Sequence, residues 1–210
     1  AAVTTTYPLG ESLTGYAIVV DRVAKVHTYA GVKVARYRWH NDQGGPLSLD
    51  VDVCGTTEAE GAAGSFTSSA IDINTKPWMF SMMTLTIAGV TVTPQSFEET
   101  VDWKFDTERF FNSQSLSTGA NATDLEVRVG CRLPYGDSTA IYTTHSANTG
   151  VAVVATWTNG VYILTKTYVK VAFPKVAPQM NDRGELFLDL NGHAMKSSST
   201  APVVTVLAVS

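Results

Sequence analysis

Two aspartates, Asp50 and Asp52, have the spacing that comes closest to a catalytic arrangement. At positions i and i+2 of an alternating segment they share one face of a strand, with Cβ atoms about 7 Å apart. Some β-sandwich glycosidases hold their acid and nucleophile in this way, at about 5–5.5 Å in retaining enzymes. Such sites usually add a third acidic residue on the same strand, whereas Cys54 holds the next position on this face. The simpler interpretation is a polar, solvated strand face.

Other kinds of reactive site find little support in the sequence. The four histidines are scattered without a His-x-x-x-His pair, and Cys54 is far from Cys131, so a zinc site is not expected. There is no Gly-x-Ser-x-Gly nucleophile elbow and no glycine-rich phosphate loop. Because the two cysteines end similar strands, a bridge between them and two free, half-buried thiols both stay open. We therefore expect neither catalysis nor a metal or cofactor.

Composition narrows the class of protein further. The chain has 210 residues, of which 44% are hydrophobic and 16% charged, which favours a folded domain with a sizeable core. A formal net charge of −4 argues against a protein that grips nucleic acid through clustered cations. No apolar stretch reaches the roughly 18–20 residues that span a bilayer, so membrane insertion is not expected. The first residues lack a starting Met and the features of a signal peptide, which indicates a processed chain or part of a longer product.

Alternation with a period of two residues dominates the chain and predicts an all-β fold. The Asn159-Gly160 dipeptide predicts a hairpin between the runs 151–158 and 161–168. Leucines alternating with other residues predict a half-buried strand at 186–190. The remaining predicted strands cover residues 13–20, 34–42, 47–55, 79–87, 96–104, 123–133, 139–144 and 203–209.

Three long segments, 56–76, 105–122 and 135–150, are predicted to be loops because they are rich in small or polar residues. They exceed the usual length of a connection, so each is either a functional arm or contains a short helix. The best helix candidate is 107–112, with Asp106 as its N-cap.

A diverged internal repeat predicts two related β-hairpins. The sequence AGVKV at 30–34 reappears as AGVTV at 88–92, and the later strands LSLDVDVCG at 47–55 and DLEVRVGCR at 124–132 are also similar. A single duplication is too short for a solenoid, so we interpret it as two hairpins within one domain that covers residues 1–210. Chance similarity between valine-rich strands is the alternative.

Each of the four repeat strands has one polar and one apolar side. The polar sides carry Arg36, Arg38 and His40; Ser48, Asp50, Asp52 and Cys54; Ser96, Glu98, Thr100, Asp102 and Lys104; and Asp124, Glu126, Arg128 and Arg132. Their formal charges nearly cancel, to about −1 per chain, and we expect the arginines to pair with strand carboxylates. The apolar sides carry Tyr37, Trp39, Leu49, Val51, Val53, Phe97, Val101, Trp103, Leu125, Val127 and Val129. Glu99 interrupts this apolar side, and a β-bulge is the one explanation that the sequence offers.

In these features the chain resembles the major tail tube proteins of long-tailed (siphovirus-like), non-contractile bacteriophages. The resemblance covers most of the chain. It rests on the order of AGVKV at 30–34, GGP at 44–46, LSLDVDVCG at 47–55, WMF at 78–80, LTIAGV at 85–90, FEETVD at 97–102, RFFNS at 109–113, VGCRLP at 129–134 and RGEL at 183–186.

The resemblance implies a β-sandwich protomer with at most one or two short helices. Inner sheets of six copies would close into a β-barrel, and the hexameric rings would stack into a tube that conducts genomic DNA during ejection. The protein would be structural rather than enzymatic, would belong to the tail of the virion, and would assemble in the host cytoplasm. Its partners would be further copies of itself, the tape-measure protein, the tail-terminator and distal tail proteins, and double-stranded DNA passing without sequence preference.

The same resemblance assigns roles to particular segments of this chain. The loops 56–76, 105–122 and 135–150 would be arms between subunits and rings. The residues expected to face the lumen are Arg36, Arg38, Ser48, Asp50, Asp52, Glu98, Thr100, Asp102, Glu126 and Arg128.

Two alternative functions stay open at this point. The chain could be another β-sandwich component of a virion shell, such as a decoration protein. It could also be a carbohydrate-active β-sandwich enzyme that uses Asp50 and Asp52.

Overall fold

The strands of this chain form a nearly all-β architecture, as predicted. The computed structural model describes residues 3–9, 15–22, 24–55, 57–62, 76–105, 124–135, 150–174, 177–180, 186–197 and 200–209. Its strands are β1 (Val3–Pro8), β2 (Tyr16–Asp21), β3 (Lys25–Asp42), β4 (Ser48–Cys54), β5 (Thr57–Ala62), β6 (Met83–Ile87), β7 (Val90–Val92), β8 (Ser96–Asp102), β9 (Glu126–Pro134), β10 (Val151–Asn159), β11 (Tyr162–Ala172), β12 (Gln179–Met180), β13 (Leu186–Ala194) and β14 (Val203–Val209). The predicted helix at 107–112 and the predicted strand at 139–144 lie outside the described residues.

The strands join in one antiparallel sheet that folds back on itself. Its path runs β2-β3-β8-β9-β13-β11-β10-β6-β7, with β4 and β5 on β3, β14 on β11, β1 on β14 and β12 on β13. At the corner, β13 and β11 share only the pairs Val171–Ala194 and Ala172–His193. This corner separates a first layer, β4-β3-β8-β9-β13, from a second layer, β7-β6-β10-β11-β14-β1.

The core lies between the two layers because each strand alternates apolar and polar side chains. The Phe97 ring of the first layer packs edge-on against Trp157 of the second, at 5.5 Å between ring centroids. The Trp157 indole N–H donates to the buried Asn41 side chain at 3.1 Å, and Asn41 donates to the Gly45 carbonyl at 3.2 Å. These contacts satisfy the buried indole N–H of Trp157 and the buried amide of Asn41, and they join the two layers into a sandwich.

The two hairpins of the internal repeat lie side by side, as predicted. β3 pairs with β4 on one side and with β8 on the other, and β8 pairs with β9. The two copies of the repeated sequence differ locally, because the first continues within β3 and the second forms the turn between β6 and β7. Gly31 and Gly89 nevertheless have similar left-handed backbone angles, with φ of 63° and 79°.

β3 is longer than predicted, and its first half builds an arm. The pattern predicted a strand over 34–42, whereas β3 starts at Lys25 and pairs with β2 and β5 through residues 25–32. We call β2, β5 and residues 25–32 of β3 the arm. The prediction of a loop over 56–76 was wrong for β5, because pairing with β3 makes a strand of a segment that has little strand propensity of its own.

Other local predictions were confirmed or corrected. The hairpin at Asn159-Gly160 is present, but its two loop residues are Gly160 and Val161, with Gly160 at a φ of 59°. The strand predicted over 79–87 begins only at Met83, because a 3-10 turn, Phe80–Met82, precedes it. The strand predicted at 203–209 is present as β14, and it pairs within the protomer because it lies between β1 and β11.

Candidate functional site

A polar face covers the side of the first layer that points away from the core. The strand register places Arg36 between Asp52 of β4 and Asp102 of β8, and it places Arg38 between Asp50 and Thr100. We call the outward side chains of β3, β4, β8, β9 and β13 the polar face. It contains all ten residues that the sequence predicted to face a lumen, and none of them is buried: Arg36, Arg38, Ser48, Asp50, Asp52, Glu98, Thr100, Asp102, Glu126 and Arg128.

Ion pairs join neighbouring strands across the middle of this face. An Nη2 group of Arg38 lies 2.7 Å from Glu98 Oε2, and the Thr100 hydroxyl donates to the other Glu98 oxygen at 3.3 Å. The hydrogen bond from Arg38 lowers the pKa of Glu98, and the same bond raises the pKa of Arg38. Both groups therefore stay charged near neutral pH, and each offsets the charge of the other.

Glu126 is the centre of a second charge cluster. Its carboxylate lies 2.5 Å from Lys104 Nζ and 2.6 Å from Arg128 Nε, with His193 Nδ1 at 3.4 Å. Hydrogen bonds from Lys104 and Arg128 lower the pKa of Glu126 to about 2. The prediction that the arginines pair with strand carboxylates is thus confirmed for Arg38 and Arg128.

β13 extends the polar face by a fifth strand that the sequence prediction missed. Asp189, Asn191 and His193 stand opposite Arg132, Gly130 and Arg128 of β9. Arg132 Nε lies 3.5 Å from Asp189, and its guanidinium carbon lies 3.5 Å from the centre of the Phe187 ring. The alternation of 186–190 did predict a strand, but the sequence offers no signal that this strand would pair with β9.

The polar face is concave at its centre. A depression of about 640 Å³ lies over β3, β8, β9 and β13, and its lining includes Arg36, Asp102, Glu126 and Arg128. Cationic side chains and carboxylates are mixed in its lining, so the depression has little net formal charge. No group of three or more His, Cys, Asp or Glu side chains within the described ranges is arranged to hold a metal ion.

The candidate catalytic aspartates lie at the margin of this face. Asp50 Oδ2 is 3.4 Å from His40 Nδ1, and its side chain is 64% exposed. Asp52 is exposed beside Arg36, the residue opposite it in β3. Neither lies in the central depression, so the structure supports the simpler interpretation of a solvated strand face.

A buried ion pair connects the two layers beneath the polar face. Glu99 of β8 binds Lys166 of β11, and both side chains are almost completely buried. The Tyr37 hydroxyl donates to Glu99 at 3.2 Å, and the Lys166 ammonium lies 4.4 Å from the centre of the Trp39 ring. Burial lowers the pKa of Lys166, and the Glu99 carboxylate acts in the opposite direction. The predicted bulge at Glu99 was wrong, because the register of β8 against β3 and β9 is continuous there.

Both cysteines are free. Cys131 lies in the core opposite Phe97, and burial raises its pKa to about 12, whereas Cys54 is half-buried at the end of β4. Of the two arrangements left open by the sequence, the structure has the unbridged one.

Comparison with known families decides what kind of protein presents this face. A family model described as phage tail tube protein matches residues 1–194. The chain belongs to the phage tail tube protein family. None of the curated proteins compared with the chain matches it.

Family membership makes this chain a structural protein of the bacteriophage tail rather than a member of an enzyme family. A tail tube protein has its place in the virion tail and assembles with copies of itself and with other tail proteins. No helix within the described ranges of this tail tube protein is both long and apolar enough to cross a membrane.

The outer edge of the first layer, which β4 forms, is only partly covered within the described part of one protomer of this tail tube protein. Among the described strands β4 is the outermost of the first layer, and its apolar side chains Leu49, Val51 and Val53 are 46%, 45% and 46% exposed. The sequence predicted that these residues lie on the apolar side of the sheet, and they do. Their exposure shows that the described strands of the second layer do not cover them within one protomer.

Proposed function

We propose that six copies of this chain close into a ring through the β4 edge, and that stacked rings form a tail tube with the polar face toward the lumen. One observation carries this proposal: within the described residues β4 ends the first layer without a strand on its outer side, and its apolar side is half-exposed. An open strand edge beside exposed apolar side chains favours pairing with another chain. Pairing with a neighbouring copy would cover both the strand edge of β4 and its exposed apolar side chains.

The dimensions of such a ring suit double-stranded DNA. The hairpins β3–β4 and β8–β9 would supply four adjacent lumen strands per copy, and β13, which leads into the corner toward the second layer, is not counted among them. Twenty-four strands at about 4.8 Å spacing and about 45° tilt give a circumference near 160 Å and a diameter of about 50 Å. Side chains of roughly 5 Å on each side would leave a channel about 40 Å wide. A duplex roughly 20 Å wide would pass with a layer of water and ions.

The charge arrangement of the polar face suits a conduit that does not retain its cargo. Cations that are free to neutralise phosphates would hold DNA through counterion release. Arg38 and Arg128 are instead paired with Glu98 and Glu126 of the same chain. A wall of such pairs offers passing phosphates little net attraction.

The proposed tube would also contact other tail proteins: the tape-measure, tail-terminator and distal tail proteins.

Ring closure is tested by a charged substitution at the β4 edge. We expect Val51→Lys to prevent rings, because a buried ammonium without a partner opposes closure. Val90→Lys is the matched control, since Val90 is 41% exposed and lies on β7, the outermost strand of the second layer. Electron microscopy of purified protein should show six-fold rings for the control and single protomers for Val51→Lys. Rings from Val51→Lys, or no rings from the unmodified chain, would contradict the proposal.

The lumen assignment is tested by reversing charge on the polar face. Asp52→Lys combined with Glu98→Lys should permit tubes but slow DNA ejection, because unpaired lysines would bind passing phosphates. The neutral pair Asp52→Asn with Glu98→Gln serves as the control. Ejection of DNA from phage particles that carry each variant measures the effect, and equal ejection rates for both pairs would show that the polar face is not the lumen wall.

A further inference from the structure

The two ends of the protomer carry features that complement each other. β3 has 18 residues, a length of about 60 Å when extended, and connects the arm to the turn that precedes β4. At the turn end, Pro46 bridges to Met79, and the side chain of Asn159 donates to the Lys76 carbonyl at 2.6 Å. The loop between β10 and β11 therefore lies at the opposite end of β3 from the arm.

The arm end presents an apolar groove. Its floor is formed by Ile18 and Val20 of β2, Tyr29 and Val32 of β3, and Val53 of β4, and its volume is about 520 Å³. Val53 also belongs to the exposed apolar side of β4, so the groove continues the surface proposed to close the ring.

A carboxylate stands at the rim of this groove. Glu58 of β5 lies 2.7 Å from His27 Nδ1 and accepts a hydrogen bond from the Tyr29 hydroxyl at 3.1 Å. The hydrogen bonds from His27 and Tyr29 lower the pKa of Glu58, and the charge of Arg22 acts in the same direction, so this carboxylate stays ionised at neutral pH. The groove therefore suits an apolar group with a cation beside it.

The opposite end presents such a group. This end exposes Val161 of the β10–β11 loop and Tyr162, the first residue of β11, whose exposed fractions are 48% and 40%. Lys76, an exposed cation, lies beside this loop through the contact with Asn159. We call Val161, Tyr162 and Lys76 the hairpin tip.

We infer that the hairpin tip of one copy inserts into the arm groove of a copy in the next ring. This inference rests on the proposed tube, and it names the contact that joins one ring to another. Val161 and Tyr162 would cover the part of the floor that β2 and β3 form, Val53 would remain in the ring contact, and Lys76 would meet Glu58. Because the two surfaces differ and lie at opposite ends of the protomer, the contact is heterologous and extends a stack instead of closing on itself.

Charge reversal across the contact provides the test. Lys76→Glu and Glu58→Lys should each leave rings intact and shorten tubes by about tenfold in rings per tube, because like charges would face each other. The double variant should restore tube length. Electron microscopy counts the rings in each tube, and normal tubes from either single variant, or no recovery in the double variant, would overturn the inference.

A cysteine pair gives an independent measurement. With Cys54→Ser as background, Val20→Cys combined with Val161→Cys should form disulfides between rings under oxidation. Because the contact does not close, denaturing gels should show a ladder that extends beyond six chains. Val90→Cys with Val161→Cys is the control and should give no ladder. Rings that form without a specific ladder would overturn this contact alone, whereas failure of the unmodified chain to form rings would overturn the proposed tube as well.

Discussion

Two neighbouring glutamates on β8 show how differently the two sides of one sheet use the same ion pair. Glu98 points to the polar face, where its side chain is 44% exposed and binds Arg38. Glu99 points into the core, where its side chain is fully buried and binds Lys166 of the other layer. Neighbouring residues of β8 therefore form two different ion pairs: Glu98 pairs at the surface within the first layer, and Glu99 pairs in the core with the second layer.

The difference in burial changes what each pair contributes. An exposed pair is screened by water and contributes about 0–1 kcal/mol, so the Arg38–Glu98 pair mainly sets the charge of the surface. A buried pair gains little over apolar side chains of the same size, but removal of one partner costs about 3–5 kcal/mol. The Glu99–Lys166 pair thus penalises any packing of the two layers that separates its partners.

The largest expected effect comes from breaking the buried pair. Glu99→Gln should lower the free energy of unfolding by about 3–5 kcal/mol, because Lys166 would stay buried without a carboxylate. Chemical denaturation at neutral pH measures this loss. The double variant Glu99→Leu with Lys166→Met should recover part of it, because neither charge would be left in the core while the Tyr37 hydroxyl would lose its acceptor.

The pH dependence of the loss in Glu99→Gln follows from the pKa of Lys166, which burial lowers and the Glu99 carboxylate raises, so that removal of the carboxylate lowers this pKa further. A lysine whose pKa in the folded state lies below its ordinary value of 10.5 takes up more protons when the chain unfolds. Stability therefore rises with pH until that ordinary value is reached. The variant should lose less stability at about pH 9.5 than at pH 7, and a loss that does not change with pH would contradict the assignment to Lys166.

The smallest expected effect comes from the same substitution one residue earlier. Glu98→Gln should change the free energy of unfolding by about 1 kcal/mol or less, since water solvates Arg38 once the carboxylate is gone. Denaturation of both glutamine variants under one set of conditions compares the two sides directly. A loss at Glu98 as large as that at Glu99 would show that the polar face is covered in the protein as it exists in solution.

The sequence predicted the arrangement of the polar face well, because the internal repeat and the alternation of polar and apolar residues can both be recognised within short segments of the chain. The similarity of 47–55 to 124–132 indicated two hairpins, and a period of two assigned each side chain to a face. Once β3 paired with β8, the ten predicted residues came together.

The features that the sequence missed depend on contacts between distant segments. Glu99 and Lys166 each interrupt an apolar face, and two interruptions of opposite charge were the signal that could have identified the buried pair. β5 and the first half of β3 lack a strong alternating pattern and form strands through mutual pairing. The exposure of Val51 could not be predicted, because it depends on how far the second layer extends.

The length of β3 has a mechanical consequence. Its ladder runs along β2 and β5 at one end and along β4 and β8 at the other. Antiparallel hydrogen bonds lie perpendicular to the strands that they join. Tension applied to the arm along β3 would therefore load many of these bonds in shear at once, and would not peel them apart one after another.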